Sequence, residues 1–199
     1  MSYERRFWRA GLTCLAGIDE AGRGALAGPV AVGAVILPPH LHNSRRVLAG
    51  VRDSKQMTPA ERLAAAARIR ACALAWCVGF ASADEIDADG IVQAARLAAL
   101  RALEGLGRYP QALLADFRLE LPELDIPQTS LVKGDARCLS IAAASVLAKT
   151  ERDTVMLELD SQVPGYGLAQ HKGYGTAFHR AAIHSMGRSP IHRQTFSIS

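Results

Sequence analysis

The stretch Gly28 to Leu37, GPVAVGAVIL, is ten residues long, carries no polar side chain and is closed by Pro38-Pro39. Its length and its valine and isoleucine content predict a strand buried in a core. Other strand-length apolar runs surround it in the chain. Cys14 to Ile18 leads into Asp19, Trp76 to Ala81 is short, Leu113-Leu114-Ala115 leads into Asp116, and Ser130-Leu131-Val132 follows a proline-spaced loop. Helical segments with readable ends lie between them. Thr58-Pro59-Ala60-Glu61 supplies a threonine N-cap, a proline at the first helical position and the glutamate of a capping box. The alanine-rich helix it opens runs to about Ala73. Asp84 is placed to cap a second helical region that reaches Leu106, with a break at Gly90. A third helix runs from Leu139 to about Leu159, and Ala142, Ala143, Ala144, Ser145 and Ala148 would let it pack unusually close to a neighbour. Beyond Pro164 the chain turns glycine-rich and ends in a short helix after Thr176, stopped near Gly187. This order predicts an α/β or α+β chain built on one mixed sheet, with the last third as a helical flap.

At 199 residues the chain is of one-domain size and can bury a core without metal or disulfide staples. A net charge of +4 permits a polyanionic partner without demanding one. Cys14, Cys72, Cys77 and Cys138 include no CxxC pair and no neighbouring histidine cluster, which speaks against zinc and for reduced thiols. No signal-peptide core follows the basic N-terminus, and no apolar run approaches the roughly 18 residues of a membrane span. The expectation is a cytoplasmic monomer with no membrane partner.

The densest chemistry is Gly17-Ile18-Asp19-Glu20-Ala21-Gly22-Arg23-Gly24. Two adjacent carboxylates sit where a strand breaks into a glycine loop. Neighbouring strand side chains point to opposite faces, so both serve one site only if Glu20 lies where the backbone turns. Asp116 ends a second apolar run, and Asp135, in Lys133-Gly134-Asp135, stands at the end of a third. Strand-terminal carboxylates drawn from distant sequence suit a hard cation: oxygen ligands, a rigid platform, and positions left open for water and phosphate. Any one of these acids alone reads as ordinary turn chemistry. Together with Gly-Arg-Gly, whose bare backbone admits a close ligand, they read as a phosphate nest or sugar contact beside a metal site.

The octapeptide resembles the opening signature of the ribonuclease HII family. Asp53-Ser54-Lys55, Lys133-Gly134-Asp135, Ile141-Ala142-Ala143-Ala144-Ser145, Ala148-Lys149, Arg152-Asp153 and His171-Lys172-Gly173-Tyr174-Gly175-Thr176 also resemble its motifs, in order, over about Gly17 to Phe196. The resemblance implies a ribonuclease H-like α/β fold, a mixed central sheet flanked by helices. A catalytic domain over residues 1–160 and a C-terminal helical substrate-binding module over 161–199 would form one unit. It implies catalytic, metal-binding acids Asp19, Glu20, Asp116 and Asp135 holding two Mn²⁺ or Mg²⁺ ions. The backbone of Gly22, Arg23 and Gly24 and the side chain of Tyr174 would sense a 2′-hydroxyl, with Lys55, Ser145 and Lys149 toward phosphates. The implied substrates are RNA/DNA hybrids and duplex DNA containing ribonucleotides, cut on the 5′ side of a ribonucleotide to leave a 3′-hydroxyl and a 5′-phosphate. The implied roles are ribonucleotide removal and primer processing.

One departure stands out. Where the family often has Asp-Gly at the third acid, this chain has Asp116-Phe117-Arg118, and Glu120, Glu123 and Asp125 lie nearby as rival ligands. Lys55, Lys133, Lys149, Arg152 and Lys172, each taken alone, read as solvated surface charge. Tyr174 alone reads as a loop tyrosine half-buried against its neighbours, and most of His171, His179, His184 and His192 as packing or capping residues. Two other classes compete. A non-catalytic nucleic-acid-binding module would have no need of all four acids. A nucleotide-binding enzyme would need a phosphate loop of a spacing this chain lacks.

Overall fold

Five strands build one sheet in the order β3-β2-β1-β4-β5, in a computed structural model that describes residues 2–39, 48–51, 54, 57–117 and 119–198. They are β1 Leu15–Ala21, β2 Val30–Ile36, β3 Ala75–Ala81, β4 Ala112–Asp116 and β5 Gln128–Leu131. β1, β2 and β3 pair antiparallel, whereas β4 joins β1 and β5 joins β4 in parallel, so the sheet is mixed. The helices are α1 Ser2–Arg9, α2 Pro59–Cys72, α3 Ala83–Glu104, α4 Gly134–Arg137, α5 Leu139–Gln162, α6 Leu168–His171 and α7 Ala177–Met186.

Every residue of β2 is buried, as its unbroken apolar run requires. Val30, Val32, Ala34 and Ile36 pack with Ile86, Ala95, Ala98 and Ala102 of α3 on one face. Val35 on the other face packs with Ala65, Ala66 and Ile69 of α2 and Ala143, Ala144 and Leu147 of α5. The small residues of α5 bring that helix onto the sheet almost without a gap. A Cβ at Gly17 would collide with the backbone of Ser140, and one at Gly33 with the carbonyl of Ala144.

The helix ends follow the sequence with one correction. Thr58 caps α2 through a complete capping box with Glu61. α3 is capped by Ser82, not Asp84: the Ser82 hydroxyl accepts from the Glu85 N–H, and Glu85 reaches back to the Ser82 N–H. Asp84 is acidic first-turn charge. Gly90 breaks the helical backbone of α3 as expected, at φ 80°. Residues 2–9 carry no capping or apolar-run signal in the sequence, yet they form α1. There α1 brings a fully buried Glu4 to the start of α5, where its Oε1 accepts from the Ser140 N–H at 3.0 Å.

The segment that follows α5 docks back on that helix, which itself crosses residue 160 and ends at Gln162. Met156 of α5 packs with Ala27, Tyr166, Leu168 and Ile183. The segment after α7 returns to the β1–β2 loop, where Gly28 N–H donates to the Ile191 carbonyl and Arg193 N–H to that of Leu26.

Candidate active site

The parallel register of β1 and β4 pairs Leu15 with Ala112 and Ile18 with Ala115. One step further along both strands stand Asp19 and Asp116, so two carboxylates separated by 97 positions in the chain become neighbours at one end of the sheet. Asp19 is the face-mate of Gly17 and lies opposite Gly33, the two glycines against which α5 packs. Its carboxylate is therefore aimed under α5, is 6% exposed, and hydrogen-bonds Ser145. The Ser145 hydroxyl also meets that of Ser54 at 2.9 Å.

Glu20 is the next-to-last residue of β1, where the chain is about to turn at Gly22 (φ 88°). Its Oε1 accepts from Arg23 Nη1 at 3.3 Å. Burial first, and the Glu20 charge second, hold the Asp19 carboxyl well above the usual carboxylate range. Asp116 adds to this, while hydrogen bonds from Ser145 and the Glu20 N–H oppose it. Asp116 is itself tied down: its Oδ1 accepts from the Gly134 N–H at 2.8 Å. This places Asp135 one residue from the Asp116 contact. Asp135 does not stand at a strand end as the sequence suggested, but in the helical turn α4, after Lys133 adopts a left-handed backbone at φ 53°. Of the rival acids, Glu120 lines a separate cleft with Arg96, Pro122, Ile126 and Gln128, and Glu123 and Asp125 are exposed.

Among the described residues, no three His, Cys, Asp or Glu side chains already form a ligand cluster. The donor set nonetheless fits a hard cation. Glu20 and Asp116 both repel the buried Asp19 carboxylate, and a divalent ion among the three would turn that repulsion into shared attraction.

The Gly22-Arg23-Gly24 turn is fastened from below. A Cβ on Gly22 would overlap the Arg152 guanidinium, so only glycine fits, whereas a Cβ on Gly24 would meet nothing. The Tyr174 loop is stitched to the same turn: Gly173 O accepts from Leu26 N–H at 2.7 Å, and a Cβ on Gly173 would strike the Ala27 carbonyl. That glycine serves a close backbone approach, rather than simply freeing its tyrosine neighbour. The Tyr174 ring is about one-third exposed, with Lys149 Nζ and Arg152 Cζ each 5.5 Å from its centroid.

Lys149 donates to Asp153 Oδ1 at 2.7 Å, and Arg62 holds Asp153 Oδ2 at 3.1 Å. With Leu63, Leu157, Lys172 and Tyr174 they line a cleft of about 370 Å³. Lys55, and Asp53 of the same motif, lie outside the described residues.

Several residues read differently in three dimensions. Arg152 is fully buried, not solvated, and donates to the carbonyls of Pro29, Lys172 and Ala27. Arg193, unremarked in the sequence, is equally buried against the 22–28 turn. His179 and His192 are buried packing residues, as expected for most of the histidines. Nothing local marks Arg193. Its contacts span more than 160 positions.

The chain matches the family model described as Ribonuclease HII over residues 16–198. A Ribonuclease HII of Moorella thermoacetica is 50% identical over 195 residues, covering 98% of this chain and 92% of that protein. A Ribonuclease HII of Dehalococcoides mccartyi is 49% identical over 194 residues, covering 98% and 90%. Among solved structures, the ribonuclease H2 from Pyrococcus horikoshii OT3 superposes with a TM-score of 0.75 at 25% identity, over 92% of this chain and 94% of that one. The RNase HII of a PCNA:RNase HII complex from Archaeoglobus fulgidus gives 0.76 at 26%, over 92% and 95%. A Bst-RNase HIII in complex with Mn²⁺ shares the fold at 19% identity and TM-score 0.67, over 95% of this chain and 69% of that one.

Proposed function

The chain belongs to the ribonuclease HII family, a family of nuclease hydrolases, and from that premise we propose that it cuts the phosphodiester on the 5′ side of ribonucleotides. Its substrates are RNA/DNA hybrids and single ribonucleotides embedded in duplex DNA, and its products carry a 3′-hydroxyl and a 5′-phosphate. Such cutting suits ribonucleotide removal and RNA primer processing. The observation that carries this reading is the crowding of Glu20 and Asp116 around the buried Asp19, directly beside the Gly22-Arg23-Gly24 turn.

In this reading Asp19, Glu20, Asp116 and Asp135 hold two divalent cations, Mn²⁺ or Mg²⁺; the related fold that binds Mn²⁺ supports the choice of metal. Bound cations supply Lewis acidity for activating water and stabilising the departing oxygen in an in-line displacement. Ser145, hydrogen-bonded to Asp19, sets that carboxylate's orientation and lies on the phosphate side. Lys149, and Lys55 by its place in the sequence motif, are assigned to the backbone phosphates. The N–H groups of the Gly22-Arg23-Gly24 turn and the Tyr174 hydroxyl recognise the 2′-hydroxyl, the one group that separates ribose from deoxyribose. With the scissile bond on the 5′ side, that hydroxyl is a recognition handle and not the nucleophile.

The test is a DNA duplex with one embedded ribonucleotide, incubated with and without Mg²⁺ or Mn²⁺, with the product ends mapped. A single metal-dependent cut 5′ of the ribonucleotide is expected. Cutting of the all-DNA control, or a 2′,3′-cyclic phosphate end, would overturn the reading.

A further inference from the structure

Beneath residues 22–29 lie two guanidiniums to which the roles above give no task. Among the described residues, Arg152 and Arg193 are the largest side chains shut away from solvent, at 0% and 1% exposure. Arg193 donates from Nη2 to the Gly22 carbonyl at 2.7 Å, from Nη1 to that of Arg23 at 2.8 Å, and from Nε to that of Gly28 at 3.1 Å. Arg152 donates to the carbonyls of Pro29, Ala27 and Lys172. Among the described residues neither forms an ion pair with a carboxylate. Each has an aromatic ring beside it, Tyr174 for Arg152 and Phe196 for Arg193, and a carboxylate charge farther off, Asp153 and Asp87 respectively. Burying a cation whose hydrogen-bond acceptors are carbonyls rather than a carboxylate is nonetheless unfavourable, and a fold that does so twice in one place is using the geometry.

The geometry follows from the planar trans peptide. A carbonyl and the N–H of the next residue point to opposite sides of the chain. Drawing the Gly22 carbonyl inward, where it also accepts from the Ala25 N–H at 3.2 Å, turns the Arg23 N–H outward. Drawing the Arg23 carbonyl inward, which Arg193 does, turns the Gly24 N–H outward. Neither N–H enters a backbone hydrogen bond among the described residues. Gly24 is exposed, with open space above it. Two successive amide donors therefore face away from the two buried guanidiniums, one of which, Arg152, also lies against the Tyr174 ring.

We propose that Arg193 is a positioning residue for ribose recognition, holding the carbonyls of Gly22 and Arg23 inward so that the next two amides are presented to a 2′-hydroxyl. This rests on the reading of that turn as the ribose sensor. Specificity for ribose is then set by a side chain 170 positions away in the chain from Arg23.

The test compares wild type with Arg193→Lys, which keeps the charge but loses the fork of donors. Binding is measured in Ca²⁺, without turnover, to a duplex with one embedded ribonucleotide and to the matched all-DNA duplex, beside the thermal midpoint of each protein. The ratio of the two affinities should fall roughly tenfold in the variant, the scale of one or two lost hydrogen bonds. Affinity for all-DNA duplex, held by phosphate contacts, should stay near wild type. A loss of folded protein scales both affinities alike and leaves the ratio unmoved. A folded variant with the wild-type ratio overturns the positioning role while leaving the proposed function intact. Wild type with no preference for the ribonucleotide overturns both. Should Arg193→Lys fail to fold, the Nε–H resonance of Arg193 in wild type decides: it should shift on adding the ribonucleotide duplex and not the all-DNA one, and no difference between the two overturns the proposal.

Discussion

The Nε2 atoms of His179 and His192 stand 3.1 Å apart, and the outer nitrogen of each ring decides which one donates. The Ser189 N–H can only donate, so His192 Nδ1, 3.0 Å away, accepts. His192 Nε2 then carries the proton and gives it to His179 Nε2, whose Nδ1–H donates in turn to the Tyr174 carbonyl at 3.0 Å. His171, stacked on His179 with centroids 4.3 Å apart, is fixed the same way: it accepts from Gly173 N–H at Nδ1 and donates to the Tyr166 carbonyl at Nε2. The bonds of the His192–His179 pair run one way, toward the Tyr174 carbonyl, and need both rings of the pair neutral, whereas those of His171 end on Tyr166.

Protonating either ring of the pair puts two donors face to face. Burial is the main reason the His192 pKa falls to about 4, with His179 next, and burial lowers His179 as well. An unfolded chain takes up the proton near the ordinary 6.5. Between those values the unfolded state binds more protons, so this contribution is full above about pH 6.5 and is lost as pH falls toward 4. The thermal midpoint of wild type should drop across that window. His192→Asn should start lower at pH 8 and show a flatter profile. Parallel profiles would assign the acid sensitivity to other groups.

Gly33→Ala tests the closeness of α5 to the sheet. The added methyl meets the Ala144 carbonyl, which cannot swing aside as a side chain can. The strain should cost about 1–3 kcal/mol or more, read from the urea midpoint. Moving α5 also moves Ser145 off Asp19, so cleavage should fall even where the variant is fully folded. Full activity in folded variant would show that the Asp19–Ser145 hydrogen bond is dispensable.

What the sequence makes legible is what depends on neighbours in the chain. The capping box at Thr58, the break at Gly90 and the small residues of α5 all act within a few positions. Ser82-Ala83-Asp84-Glu85 carried an equally good box, and the acidic residue inside it drew attention from the true cap. The acids Asp19 and Asp116 could be picked as strand-end residues, but their adjacency is a property of the parallel register between two strands that the sequence does not pair. Asp135 left its expected strand end because the left-handed backbone at Lys133 starts a helical turn there, a conformation uncommon outside glycine. Arg152 and Arg193 were illegible for a simpler reason. A charged side chain looks like surface until the carbonyls that satisfy it arrive, most of them from over a hundred positions away.

Asp19→Asn separates the metal role from the fold. Removing a buried negative charge that burial, Glu20 and Asp116 all disfavour should leave the metal-free protein at least as stable as wild type. Mn²⁺ should then raise the melting temperature of wild type, by about 2.7 kcal/mol of stability at a hundredfold excess over the dissociation constant, and raise that of the variant far less. Cleavage by the variant should be abolished. Equal stabilisation of both proteins by Mn²⁺ would place the ion elsewhere.

Tyr174 is held by its backbone, through His179 and the His171 carbonyl, so its side chain can be changed without disturbing the loop. Tyr174→Phe keeps the ring against Lys149 and Arg152 and removes only the hydroxyl. If that hydroxyl bonds the ribose, kcat/KM at an isolated ribonucleotide should drop by roughly tenfold, about the value of one hydrogen bond. Tyr174→Ala also removes the ring face and the cation–π contacts, and should lose more. Inside a longer RNA/DNA hybrid, where several ribonucleotides offer alternative registers, the Phe variant should be less impaired. A Tyr174→Phe enzyme as fast as wild type on the single ribonucleotide would leave recognition of the 2′-hydroxyl to the backbone of the Gly22-Arg23-Gly24 turn alone.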